Sequence, residues 1–166
     1  MNSILLYIYN MFTFLMPETS CFYLKVVFLR FCGAKVNRTA KICSSVKILG
    51  NGKLDISGNV WIGPDVKIYT SGTATVTIEE NVDIAPCVKI STGTHEILIN
   101  SQKIAGKGIN KSVKICSGSW IGMNSVILSG VTVGKRNLIA ANSTVHKSTE
   151  PNMLYSNNSI KSIRTL

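Results

Sequence analysis

From Ile42 onward, apolar residues recur every six positions. The longest run is Ile115, Ile121, Ile127, Val133, Ile139 and Val145, and the same spacing holds in Ile42–Ile48, in Ile56–Ile62–Ile68 and in Ile78–Ile84–Ile90. Insertions break the register between these fragments, the largest between Ile90 and Ile115. Six steps along a strand return a side chain to the face it started from, because strand side chains alternate. Six steps along a helix, at about 100° each, leave it about 240° round the axis and build no stripe. The β-branched bias agrees with strands, as does turn chemistry at Gly58-Asn59, Gly63-Pro64, Glu80-Asn81, Ala85-Pro86 and Met123-Asn124. The pattern predicts short strands joined by tight corners and stacked in parallel as a solenoid. Each inward Ile or Val is worth about 1.5–3 kcal/mol when buried, and a one-residue slip would turn the whole ladder outward, so the phase is tightly set.

The first sixteen residues follow another pattern. They are nearly all apolar and carry no charged side chain. On a helix, Asn2, Ser3, Asn10 and Thr13 gather on one side and leave a broad apolar face. Pro17 ends that helix, and Thr19 or Ser20 is placed to cap a second one carrying Phe22, Leu24, Val26, Val27, Leu29 and Phe31. The first stretch is shorter than the roughly 20 residues a spanning helix needs and lacks the basic start of a signal peptide. Seven basic residues lie from Lys25 to Lys53, with no acid among them. Apolar helices beside a basic run predict a peripheral membrane contact; packing on the repeat core or on a neighbouring subunit is the competing reading. The expected organisation is an apolar helical extension over residues 1–33 and a repeat domain over 34–166, with an insertion at about 94–112.

Composition narrows the function. A chain of 166 residues holds one domain plus a short appendage, and 45% hydrophobic residues exclude wholesale disorder. A formal charge of +10 points to anionic partners. No nucleic-acid-binding module accompanies it, so nucleic acid is not expected as a partner. The five cysteines are odd in number and form no C-x-x-C pair, which fits reduced thiols in a cytosolic setting. Only two histidines are present, His95 and His146, too few for a three-histidine zinc centre. A histidine suits proton removal near neutral pH. His95 closes a repeat and opens the insertion, whereas His146 occupies a repeat corner.

The run Val113–Val145, with Ser119-Trp120-Ile121-Gly122 and then Gly130-Val131-Thr132-Val133-Gly134, resembles the hexapeptide-repeat acyltransferases. The segment Leu29-Arg30-Phe31-Cys32-Gly33-Ala34-Lys35 is similar to a subgroup acting in bacterial exopolysaccharide, capsule and O-antigen assembly. The resemblance implies an all-β, left-handed parallel β-helix, three hexads to a turn, behind a short apolar helical extension. It implies an O-acetyltransferase that moves acetyl from acetyl-CoA, its co-substrate, to a sugar hydroxyl without a metal. Ser91-Thr92-Gly93-Thr94-His95-Glu96 stands where the family carries its catalytic histidine. Trp120, Gly122 and Met123 fall where the family lines the thioester channel, Ala141 where backbone holds the pantetheine arm, and Lys161 near the coenzyme A phosphates. The imidazole would be oriented by Glu96 or by a backbone carbonyl, and the oxyanion held by a backbone N–H near Trp120–Gly122. Residues 65–73 and the insertion would border the acceptor, with Gly93, Gly106 and Gly108 lending the insertion flexibility.

Two stretches depart from the family pattern, Val145-His146-Lys147 and Asn157-Asn158-Ser159-Ile160-Lys161. The implied partners are a saccharide acceptor, soluble or lipid-linked, and two further copies in a homotrimer with sites between subunits. The implied location is the cytoplasm, at the inner face of the membrane. Acetyl transfer to a small soluble acceptor and a non-enzymatic solenoid are the alternatives.

Overall fold

The structure, a computed structural model, describes residues 1–156 and, as backbone, 161–165. Two helices, α1 (Ser3–Phe14) and α2 (Phe22–Phe31), precede five stacked coils of three strands each. The first coil is β1 (Lys35–Val36), β2 (Lys41–Ile42) and β3 (Lys47–Gly50), and the second is β4 (Lys53–Ile56), β5 (Trp61–Ile62) and β6 (Lys67–Thr70). The third is β7 (Thr75–Ile78), β8 (Asp83–Ile84) and β9 (Lys89–Ser91), after which a hairpin, β10 (Gly93–Ile97) and β11 (Ala105–Asn110), leaves the solenoid. The fourth is β12 (Val113–Ile115), β13 (Trp120–Ile121) and β14 (Val126–Ile127), and the fifth is β15 (Thr132–Val133), β16 (Leu138–Ile139) and β17 (Thr144–Val145). β18 (Met153–Ser156) continues the second face, and β19 (Lys161–Thr165) turns back antiparallel on it.

Strands stack in parallel on three faces: β1-β4-β7-β12-β15, then β2-β5-β8-β13-β16, then β3-β6-β9-β14-β17. The six-residue ladder is the reason. Ile42, Ile62, Ile84, Ile121 and Ile139 all fill the second face's inner column with no exposed surface, and equivalent columns run inside the other two. In register, Ile121 lies between Ile84 and Ile139, so like sits on like. Three residues after most ladder positions the chain turns in the left-handed region, at Asn59, Asp65, Asn81, Asn124 and Asn142 among others. Asn and Asp tolerate that region better than other residues with a Cβ.

The corners change chemistry along the stack. In the first three coils they bury Val46, Val66 and Val88; in the last two the equivalents are Ser125 and Ser143. Ser125 Oγ donates to the Ala140 carbonyl at 3.0 Å, and Ser119 Oγ donates to Gly134 O at 2.8 Å. Asn137 Nδ2 donates to Thr149 Oγ1 at 2.7 Å. Hydrogen-bonded side chains there replace apolar packing without leaving a buried polar group unmatched.

The helices cap the first coil, burying Leu6, Tyr9, Val26 and Leu29 in the core and, among them, several polar groups. Asn10 and Thr13 are buried, while Ile4, Tyr7, Met11, Phe14 and Leu15 face outward. The reason is the open edge of β3, which pairs with β6 on one side only. Asn10 Nδ2 donates to Ile48 O at 2.8 Å, and Ile48 N donates to Asn10 Oδ1 at 3.2 Å, so one carboxamide does the work of a neighbouring strand. Lys25 is fully buried under the cap, its Nζ donating to Ser44 Oγ at 2.9 Å and to Glu18 O at 3.2 Å. Burial holds its pKa below the ordinary lysine value. Cys21, in the left-handed region, precedes α2 without a side-chain cap bond, so neither Thr19 nor Ser20 caps that helix.

Candidate active site

The hairpin β10–β11 starts at the corner between the third and first faces and is bolted there. Thr92, fully buried, accepts the Ser71 N–H at 3.0 Å, and its carbonyl accepts Lys111 N–H at 2.9 Å and Ser129 Oγ–H at 2.8 Å. Ser71 Oγ donates to Asn110 Oδ1 at 2.5 Å. Coils two, three and four therefore all grip the root. The insertion is a two-stranded ribbon, pairing Gly93 with Asn110, Thr94 with Ile109 and His95 with Gly108.

His95 stands on that ribbon, exposed, with Nδ1 3.0 Å from the Gly106 carbonyl oxygen. A carbonyl can only accept, so Nδ1 carries the proton and Nε2 is left with its lone pair. The Gly106 carbonyl, rather than Glu96, orients the ring. Gly93, Gly106 and Gly108 lie within the strands of the ribbon; a Cβ on Gly106 would lie 2.8 Å from Leu98 Cγ, whereas one on Gly108 would make an ordinary contact, 4.0 Å from His95 Cε1.

The other candidates gather elsewhere. Trp120, 54% exposed, lies on β13 of the second face. Gly122 and Met123 turn the corner between the second and third faces and stack on Ala140, Ala141 and Asn142 of the next coil. Gly122 N donates to Ile139 O and Asn142 N to Met123 O, each at 2.8 Å. A Cβ on Gly122 would meet Ala141 N and Ile139 O at 2.6 Å, so only glycine lets these coils close. The N–H groups of Trp120, Gly122 and Asn124 donate to the carbonyls of Asn137, Ile139 and Pro86, so neither Trp120 nor Gly122 is available as an oxyanion donor.

In a three-sided stack, the edge that carries the hairpin is opposite the second face. One chain thus brings Trp120, Gly122, Met123 and Ala141 to one side and His95 to another. His146 follows β17 at the hairpin's own edge, exposed. Lys161 lies on the backbone of β19, paired with Ser156, and its side chain lies outside the described part of the structure.

No cysteine is a competing nucleophile near His95. All five are free, and burial pushes the Cys43 thiol up to about 11 and raises Cys32 and Cys116 as well. Among the described residues no group of three His, Cys, Asp or Glu is placed to hold a metal ion.

A five-coil parallel β-helix of hexapeptide repeats, interrupted once by a histidine-bearing hairpin, defines a class of acyl-transferring enzymes. The model for the bacterial transferase hexapeptide (six repeats) matches residues 112–147, the two coils that follow the hairpin and the corner after them. The colanic acid biosynthesis acetyltransferase named WcaF, from Escherichia coli, is 30% identical over 141 residues, which cover 82% of this chain and 71% of WcaF. The chain belongs to the hexapeptide-repeat acetyltransferases, and its β-helix is the left-handed one of that family.

Two solved structures share the fold. A hexapeptide-repeat acetyltransferase of Vibrio cholerae, crystallised with acetyl coenzyme A, superposes with a TM-score of 0.73 at 23% identity, covering 99% of this chain and 86% of that one. The polySia specific acetyltransferase NeuO superposes with a TM-score of 0.68 at 28% identity, covering 80% of this chain and 61% of NeuO.

Proposed function

We propose that the protein transfers acetyl from acetyl-CoA to a sugar hydroxyl in the assembly of a cell-surface polysaccharide, with His95 as general base. The observation that carries this reading is the His95 ring, tethered through Nδ1 to Gly106 O and so left with a basic Nε2. Two relatives act on or in the making of polysaccharides by name, colanic acid for WcaF and polySia for NeuO, which supports a saccharide acceptor.

His95 takes the proton as the acceptor oxygen attacks the acetyl carbon; the thioester carbon–sulfur bond then breaks and the thiol leaves with a proton. No acyl-enzyme is required. Trp120, Gly122, Met123 and Ala141 hold the thioester and pantetheine arm along the corner of coils four and five, and Lys161 meets the phosphates. With the Trp120 and Gly122 donors spent within the solenoid, the backbone N–H of Met123 is assigned to the oxyanion.

The site is completed between subunits. His95 and the Trp120 corner face different sides of one chain. The hairpin tip exposes Ile97 (76%), Ile99 (86%) and Ile104 (69%), an apolar surface that a neighbouring subunit would cover. A homotrimer with three shared sites satisfies both facts. The free thiols suit a reducing cytoplasm.

The test is His95→Ala assayed with radiolabelled acetyl-CoA against a glycan panel. A fall of about 10²–10⁴-fold in transfer with an unchanged unfolding midpoint is expected; undiminished transfer would exclude His95 as the base.

A further inference from the structure

The helical cap carries more apolar surface than closing a core requires: Leu6, Tyr9, Val26 and Leu29 pack on the solenoid, and a second apolar stripe is left outside. A helix that only closes a core buries its apolar stripe and shows water a polar one. Here Asn10, Thr13 and the Lys25 ammonium share the inward side with those four core residues, and the outward side is not polar. Outward, Ile4 (73%), Tyr7 (66%), Met11 (57%), Phe14 (72%) and Leu15 (83%) follow one another at helical spacing, and Phe31 of α2 is 73% exposed. A groove of about 420 Å³ runs between α1 and Leu49, walled by Tyr7, Met11, Phe14 and Leu15, with Lys47 on its rim. Lys47 Nζ lies 5.3 Å from the centre of the Phe14 ring and 3.0 Å from Asn10 O.

Charge identifies what covers this face. The three strands of the terminal coil open with Lys35, Lys41 and Lys47, one on each face of the solenoid, directly behind the cap. Residues 1–54 hold seven basic side chains and one acid, Glu18, whose Oε1 accepts both the N–H and Oγ–H of Ser45. A second copy docked cap to cap would press one lysine collar against another. An anionic bilayer neutralises the collar and takes up the apolar stripe at the same time, each basic group near the surface adding about 1 kcal/mol. The dimensions agree: a helix is about 10 Å thick, and interfacial helices sink about 5–10 Å into the headgroup–acyl boundary. Among the described residues no helix is long and apolar enough to cross a membrane, so the contact is peripheral.

We propose that the cap of α1 and α2 docks the protein on an anionic phospholipid bilayer, with the apolar stripe in the interface and the lysine collar against the lipid phosphates. This holds or fails independently of the acetyl-transfer chemistry, because the readout is partition and not turnover.

The experiment is flotation of the full chain with vesicles of phosphatidylcholine alone or mixed with phosphatidylglycerol. The protein is expected to float with the mixed vesicles, to remain behind with the neutral ones, and to be released by salt. Tyr7→Ser/Met11→Ser/Phe14→Ser should weaken partition at least about tenfold, and Lys35→Gln/Lys41→Gln should do the same while leaving the stripe intact. Both variants should keep the wild-type circular dichroism and unfolding midpoint, since the altered side chains point away from the solenoid. Wild-type protein that stays behind with anionic vesicles would overturn the proposal. So would flotation untouched by the apolar triple variant, or equal partition into neutral vesicles. Dimers that the triple variant dissolves would hand the face to a second copy instead.

Discussion

Replacing Asn10 with leucine measures how strongly the cap is held to the solenoid. The side chain keeps its branched outline, with two bulkier methyl groups in place of the carboxamide oxygen and nitrogen, and Ile48 loses both of its edge partners: the donor at 2.8 Å and the acceptor at 3.2 Å. Ile48 has no exposed surface, and water does not reach it to substitute. Each backbone group stranded in this way costs about 1–3 kcal/mol, so the pair costs about 2–6 kcal/mol. Some relaxation of α1 lets solvent in, and the lower half of that range is expected. Urea unfolding followed by circular dichroism reads the loss, and hydrogen exchange at the Ile48 amide localises it. The companion Asn10→Ala should be worse, since it adds a cavity to the same two losses. A leucine variant within about 0.5 kcal/mol of wild type would refute the claim that the carboxamide replaces a strand.

Co-expressing His95→Ala with Trp120→Ala should restore part of the activity that each variant lacks alone, because mixed assemblies contain some sites with both residues intact; no recovery in purified hybrids would show the site to be built within one chain. Gly122→Ala sets a Cβ 2.6 Å from the backbone of the next coil and should cost about 1–3 kcal/mol while raising KM for acetyl-CoA; a neutral outcome on both counts would remove the corner from the site. The Glu79 carboxyl is held below its ordinary 4.5, first by its hydrogen bond with Lys114, 2.7 Å away. A depressed carboxyl stabilises the fold above its ordinary pKa and loses that contribution as pH falls through the lowered native value. Glu79→Gln should therefore lower the unfolding midpoint by about 1–3 °C at neutral pH, a small effect because solvent screens the pair, and the difference should vanish in acid; a gap that widens in acid would reverse the assignment.

What could be read in the sequence followed from the number of residues that repeat one instruction. The solenoid was legible because fifteen inward Ile and Val positions recur at one period and reinforce one phase. Its corners were legible because Asn and Asp declare the left-handed turn. The ribbon was hidden: Thr94 to Asn110 has glycines at 106 and 108 and no strict alternation, and its strands pair with each other in the open rather than over a core. His95 could be singled out by its position beside the insertion, but the Gly106 carbonyl that orients it is a backbone atom eleven residues away and leaves no side-chain signal. Thr92, Ser71 and Asn110, which bolt the ribbon, passed as ordinary turn residues. The helices were predicted, with Asn10 and Thr13 on a common side, yet the pattern does not say which side meets the protein. That was decided by the unpaired edge of β3, which Asn10 answers, together with the core contacts of Leu6 and Tyr9.

That edge has a consequence for the life of the molecule. A parallel stack is a template at each end, and coils laid on coils, copy after copy, would grow a fibre with the same geometry as the monomer's interior. α1 closes one end by answering the hydrogen bonds of β3 with a carboxamide that cannot propagate them, and β19 turns the far end back antiparallel, which breaks the repeat. The helical cap thus also serves as an end-stop, denying a second stack the open edge at Ile48.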